Sequence, residues 1–173
     1  MTKLFLRDPT GETASSLRER VPPPKDLKNK TIALLDIGKM RGDEFIDRLE
    51  FLFKGKCLAT IRFKKPTNTR TAPIETIQNI VSKADIVVIA LSDCGSCTSC
   101  STHDLNELDK LGVPGVNILT QEFQKPFDGQ CEKIGFKGAS VFTPHPMQNK
   151  TTEELHAFAD LVFKAIIEAI TLP

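Results

Sequence analysis

Neither tryptophan nor tyrosine occurs in the 173-residue chain, and 11 phenylalanines are its whole aromatic complement. That complement is core-like, although a phenylalanine can still stack on a ligand. A dominant charge is missing as well. The 23 Lys and Arg against 22 Asp and Glu leave a net charge of +1. No global basic field therefore draws nucleic acid, and no acidic tail is present. No apolar run reaches the roughly 18 residues of a membrane span. The opening MTKLFLRDPTGE is broken by Lys3, Arg7, Asp8 and Glu12, so a signal peptide is not expected there. No Gly-x-Gly-x-x-Gly follows the first apolar run, which argues against a nicotinamide or flavin enzyme. Asp36-Ile-Gly-Lys39 lacks the glycines of a phosphate-binding loop, so ATP hydrolysis is unsupported.

What remains is an ordinary globular composition, 40% hydrophobic and 26% charged. A chain of this length buries roughly 70% of its extended surface and needs no staple. The 5 cysteines are odd in number and unevenly placed. Cys94, Cys97 and Cys100 fall within one short segment, whereas Cys57 and Cys131 stand alone. The pattern predicts free thiols in a reducing, cytoplasmic compartment rather than a disulfide framework. The two isolated cysteines are expected to be small buried hydrophobes.

Hydrophobic periodicity divides the chain into an extended arm over 1–29 and one domain over 30–173. The arm carries turn residues at 9–11 and Pro22-Pro23-Pro24, which forbid regular helix. Strands are predicted at 30–36, 57–63, 85–91, 113–119 and 138–142. Helices are predicted at 43–54, 72–83, 101–111 and 152–170, with a further one at 121–134 interrupted near Pro126 and Gly129. Continuous rather than alternating apolar strands imply burial on both faces. The fold class is α/β: a three-layer sandwich with a mostly parallel sheet of four or five strands. The arm and the sheet edges predict at least a dimer, a homo-oligomer or an association with a related subunit.

In such sheets chemistry gathers where the strands end. The segment LSDCGSCTSCSTHDLNELDKLG starts at the end of the strongest strand. Ser101 and Asp104 have capping-box spacing, which starts the next helix at Ser101 and leaves the cysteines before it or in its first turn. Unpaired amides and the positive helix end favour a thiolate there. Cys94 is the expected nucleophile, Cys97 the resolving thiol, and Cys100 a relay or a lining residue. Gly95 permits a tight turn, and Ser96 and Ser99 leave room for a substrate. The other strand exits add Lys39, Lys65, Glu122 and Phe123, and His145 between two prolines. Lysines beside a thiol lower its pKa and hold an anion. His145 and Glu122 are placed to handle protons.

This cysteine loop, together with LRDPTGE, LLDIGK, Lys65-Pro66, His103-Asp104, Glu122-Phe123 and His145-Pro146, resembles the UGSC family. That family is named for a selenocysteine-Gly-Ser-Cys motif that many members carry as Cys-Gly-Ser-Cys. The loop and the following KLGVPGV also resemble the selenoprotein B subunit of glycine reductase-type amine reductases, where Cys94 matches the selenocysteine. The resemblance implies reductive attack by the residue at 94. The chain is shorter than that subunit and lacks an obvious pyruvoyl-generating segment.

The function expected is thus a thiol-dependent enzyme, reductase-like or else a lyase or hydrolase, acting on a small anionic substrate. Asp93 and Asp104 complete the expected binding set. No cofactor is expected on this reading. The alternatives are an iron–sulfur or zinc carrier using the cysteine triplet, with His103 as a further ligand, and a non-catalytic subunit of a larger complex.

Overall fold

Each of the five apolar runs forms a strand: β1 Thr31–Asp36, β2 Ala59–Lys64, β3 Ile86–Ser92, β4 Gly115–Thr120 and β5 Ser140–Thr143. The structure, a computed structural model, describes residues 16–172, so the turn expected at 9–11 and the LRDPTGE segment lie outside the described residues. All four pairings are parallel, in the order β2-β1-β3-β4-β5. This is the flavodoxin-like order of a doubly wound sheet. Among the described residues the sheet has five strands rather than four, and no antiparallel edge. β3 and β4 are buried along their whole length, as continuous apolar strands require. β2 lies on an edge and is half-exposed.

Two helices cover one face. In α1 (Gly42–Gly55), Phe45, Ile46, Leu49 and Phe53 form the buried stripe, with Leu52 only partly covered. α5 (Thr152–Ala169) packs beside it and starts with the expected box: Glu154 N–H donates to Thr151 Oγ1, and Thr151 N–H to Glu154 Oε2. Burying each such Phe, Leu or Ile side chain contributes about 1.5–3 kcal/mol. The opposite face carries α2 (Ile74–Lys83), α3 (Gly95–Lys110) and α4 (Gln124–Ile134) over Ala33, Leu35, Val87 and Ile89 of the sheet. The interruption expected near Pro126 and Gly129 does not occur. Pro126 is the third residue of α4, where its missing N–H has no intrahelical partner to lose, and the helix runs unbroken. No helix among the described residues is long and apolar enough to cross a membrane.

Residues 16–29 form no regular element beyond a bridge between Arg18 and Phe136. The segment is nonetheless fastened to α3. Arg18 donates to Asp109 Oδ1 at 2.6 Å and to Asn106 Oδ1 at 2.9 Å, and its guanidinium lies 4.7 Å from the Phe136 ring centroid. Val21 N–H also reaches the Asp109 carboxylate.

α3 is held at its middle by a charged pair. Lys65, just beyond β2, places Nζ 2.6 Å from Asp104 Oδ2, with the two residues only 1% and 2% exposed. Asp104 Oδ1 accepts from Ala72 N–H at 2.7 Å, so both carboxylate oxygens are engaged. Burial pushes the Asp104 carboxyl above its ordinary pKa, and Lys65 opposes that push. The pair ties the segment between β2 and α2 to α3.

Two expectations follow. Asp104→Ala leaves an ammonium buried without a partner and should cost about 3–5 kcal/mol, whereas Lys65→Met combined with Asp104→Leu should recover most of that loss. Urea unfolding of the single and double variants checks it, and equal destabilisation by both would contradict the buried pair. The second concerns acid. Glu44 accepts from Arg41 and Thr152, linking α1 to the start of α5, and its carboxyl is lowered from 4.5 to about 2. A depressed folded pKa gives stability that is complete above the ordinary value and lost as pH falls through the folded one. Stability curves of wild type and Glu44→Gln should therefore differ above pH 4.5 and converge towards pH 2.

Candidate functional site

With every strand parallel, all five strand exits open on one edge of the sheet. β1 and β3 are neighbours, yet the chain leaves β1 for α1 on one face and β3 for α3 on the other. A crevice opens at such a switch point. Lys39 from the β1 exit spans it and pairs with Asp93 from the β3 exit at 3.0 Å. The β1 exit turns at Gly38, whose φ of +79° and proximity to the Lys65 carbonyl exclude a side chain. A Cβ there would lie 2.7 Å from that oxygen.

The helix after β3 begins six residues before Ser101, at Gly95, and its N-cap is Cys94. Cys94 Sγ accepts from Cys97 N–H at 3.3 Å, supplying one of the acceptors that a first turn lacks. The small polar residues that suggested a loop are helical because their hydroxyls turn back onto the helix. Thr98 Oγ1 donates to Cys94 O at 2.8 Å, and Thr102 Oγ1 to Thr98 O at 2.6 Å. Ser101 caps nothing. Its hydroxyl is buried, 2.9 Å from Ser92 Oγ and accepting from Asn117 Nδ2 at 2.7 Å.

Cys94 and Cys97 are joined by a disulfide with a Cα–Cα distance of 5.3 Å. The two sulfurs are not equivalent. Cys94 is half-buried at the helix end, whereas Cys97 is fully buried among Leu35, Ile37 and Leu105. Ser96 Oγ lies 3.5 Å from Cys94 Sγ. Gly95 does not form the expected tight turn, for it is an exposed helical residue and a Cβ there would meet nothing within 4 Å. Its smallness leaves the approach to the disulfide open. Ser99 is half-buried on the same helix.

Asn68 was not among the residues expected here. Its Nδ2 lies 2.9 Å from Cys97 Sγ and 3.9 Å from Cys94 Sγ. In sequence it reads as a turn residue of Pro66-Thr-Asn-Thr69, and Thr67 Oγ1 does accept from Thr69 N–H. Its position beyond β2, on the same edge as the cysteines, was the available signal.

The remaining candidates separate into groups. Lys39, Asp93, Cys94, Ser96 and Cys97 gather at the crevice. One ligand atom each from Asp93, Cys94 and Cys97 lies within 4.8 Å of the others. Lys65 and Asp104 line no open rim, because they are closed on each other. Cys100 is half-buried, and burial pushes its thiol above the ordinary pKa against the pull of Lys65. Glu122, Phe123 and His145 stand at the β4 and β5 exits. His145 Nδ1 lies 3.0 Å from Thr120 Oγ1, and its ring is 5.9 Å from that of Phe123. Glu122 and His145 are both exposed. No hydrogen bond or ion pair among the described residues connects them to the cysteines. His103 Nε2 meets Gln130 Nε2 at 3.0 Å. Of the isolated cysteines, Cys131 is buried as expected. Cys57 is exposed instead, because it occupies a left-handed turn after α1, with φ +58°, that faces outward.

Three solved structures are similar in chain course. A diflavin flavoprotein A3 from Nostoc sp. shares 11% identity over 82% of this chain and 93% of its own, with a TM-score of 0.48. Rubredoxin oxygen:oxidoreductase from Desulfovibrio gigas shares 11% over 86% of this chain and 38% of its own, with a TM-score of 0.43. A short-chain flavodoxin associated with a non-canonical PDU bacterial microcompartment shares 14% over 79% and 99%, with a TM-score of 0.38. Comparison with curated proteins finds no match. The model of the UGSC family matches residues 5–172, which takes in the whole sheet and the Cys-Gly-Ser-Cys segment at 94–97, and the chain belongs to that family.

Proposed function

We propose that the protein is a thiol-dependent reductase of a small anionic substrate, with Cys94 as nucleophile and Cys97 as resolving thiol. The observation that carries this reading is the asymmetry of the Cys94–Cys97 pair: a partly exposed sulfur at a helix N-cap and a buried sulfur one turn inside. The helix end and its amides favour the thiolate of Cys94. Cys94 attacks an electrophilic centre of the substrate, and the bond to its leaving group breaks with the electron pair on the leaving group. The Cys97 thiolate then attacks Cys94 Sγ. The bond between Cys94 and the substrate breaks, its electron pair departs with the substrate, and a proton from water at the open crevice completes the product. The disulfide holds the two-electron oxidation, and an external dithiol returns those electrons.

The anion is held by Lys39, whose ammonium stands at the crevice beside Asp93. A second reading, zinc binding by Asp93, Cys94 and Cys97, is supported by the convergence of their ligand atoms. It ranks lower because three converging groups fall short of the four ligands of a closed zinc site, and two of them are joined as a disulfide.

Reduced protein treated with limiting alkylating agent should be labelled first at Cys94, ahead of exposed Cys57. Exposed to a metabolite pool, Cys97→Ser should accumulate a covalent adduct that wild type releases and Cys94→Ser never forms. Intact mass spectrometry reads both results. Adduct formation in Cys94→Ser would remove the assigned nucleophile, and stoichiometric zinc in reduced wild type but not in Cys94→Ser would favour the second reading. Lys39→Met should weaken binding of a small carboxylate about tenfold, and should also lower the melting temperature because it leaves nearly buried Asp93 without its cation. Titration calorimetry decides it, and unchanged affinity would end the anion role of Lys39.

A further inference from the structure

Resting on that reading, we infer that Asn68 is a catalytic residue: its amide holds the thiolate that forms on Cys97 whenever the Cys94–Cys97 bond opens, and so sets the redox poise of the pair. Cys97 Sγ lies in an apolar pocket with the residue fully buried. A thiolate at such a place is costly unless a donor faces it. Asn68 Nδ2, at 2.9 Å, is the hydrogen-bond donor to Cys97 Sγ among the described residues. The N–H at the start of α3 does not serve Cys97, because it points at Cys94 Sγ. The two sulfurs thus have different principal supports: the helix end for Cys94, which the Asn68 amide reaches only at 3.9 Å, and that amide at 2.9 Å for Cys97.

The step in which this matters is reduction of the disulfide. A thiolate of the external dithiol forms a bond to Cys94 Sγ, the more exposed of the two. The Cys94–Cys97 bond breaks, and its electron pair leaves on Cys97 Sγ, where the Asn68 N–H meets it. The second thiolate of the dithiol then attacks its own sulfur in the mixed disulfide and releases Cys94 as a thiolate. The dithiol leaves oxidised, and the protein has gained two electrons. In the opposite direction, the same amide orients the Cys97 thiolate at the Cys94 adduct. A hydrogen bond to a charged sulfur outweighs one to a neutral disulfide sulfur. Asn68 therefore favours the reduced form.

The surrounding architecture keeps the amide in place. Asn68 sits between Lys65 and Ala72, both of which are bound to Asp104 of α3. The segment that carries the donor is thereby anchored on either side of it to the helix that carries the acceptor.

The test is the equilibrium of full-length protein with reduced and oxidised glutathione, read by alkylation and mass spectrometry at Cys94 and Cys97. Asn68→Ala should shift the equilibrium towards the disulfide by about tenfold, which is ~30 mV for a two-electron couple. Asn68→Asp, of the same shape but with a carboxylate towards the sulfur, should shift it further in the same direction. Both should raise the pKa at which the second thiolate appears in an ultraviolet titration. A purely structural role would lower the melting temperatures of both redox forms alike and leave the equilibrium constant unmoved. An unmoved constant in both variants overturns the role of Asn68 while leaving the Cys94–Cys97 couple intact. A wild type that forms no Cys94–Cys97 disulfide at any glutathione ratio instead overturns the reductase reading, and this inference with it.

Discussion

A charged pair sealed from water, Lys65 with Asp104, fixes how far the exit of β2 stands from the third helix. Much of the site is assembled on that distance. An ammonium and a carboxylate withdrawn from solvent tolerate little separation, since each is left uncompensated without the other. The segment between β2 and α2 is therefore drawn onto α3 at two points, through Lys65 and through the amide of Ala72. Asn68 lies between those points and meets the sulfurs as a result. On the other side, Gly38 lets the β1 exit come close to the Lys65 carbonyl. Three strand exits are thus nested around one buried charge pair.

The cap of α3 links the fold to chemistry in a second way. A helix end needs acceptors for its first amides, and here one acceptor is a sulfur that also takes part in a disulfide. Capping and disulfide bonding fall on the same atom. A serine at position 94 would cap at least as well by ordinary propensity, so the thiol is not explained by helix formation. Cys100 sits on the same helix in a different setting, with its thiol held towards the protonated form by burial. The three cysteines of one short segment have three environments: a helix end, an apolar pocket and a half-buried flank.

Most of the fold was legible in the sequence because the strands are continuous apolar runs and the helices carry clear stripes. Phe45, Ile46, Leu49 and Phe53 needed only spacing to be placed. The start of α3 was not legible, because serines and threonines read as loop or cap residues, and their bonds to carbonyls one turn back exist only once the helix does. Pro126 suggested a break but falls where a helix tolerates proline. In the site, Cys94 and Cys97 were legible from motif and strand end. Lys65 misled because lysine is almost always exposed, and its partner Asp104 lies 39 residues away. Asn68 stayed hidden because turn chemistry accounted for it without a second role. Cys57 misled in the opposite sense, since a thiol usually seeks the interior and this one lies in a left-handed turn.

The fastening of residues 18–21 to the far half of α3 has a mechanical consequence. Arg18 and Val21 hold Asp109 and Asn106 near the helix C-terminus, while Lys65 holds Asp104 at its middle. The helix is in effect a strut clamped at two heights, with about two and a half turns, Gly95 to Asp104, running ahead of the clamps. Both sulfurs of the Cys94–Cys97 bond lie at the tip of that stretch, in its first turn. The clamps stand well beyond both sulfurs along the helix, so a rearrangement at that tip would leave the hold of α3 on the other layers of the sandwich in place.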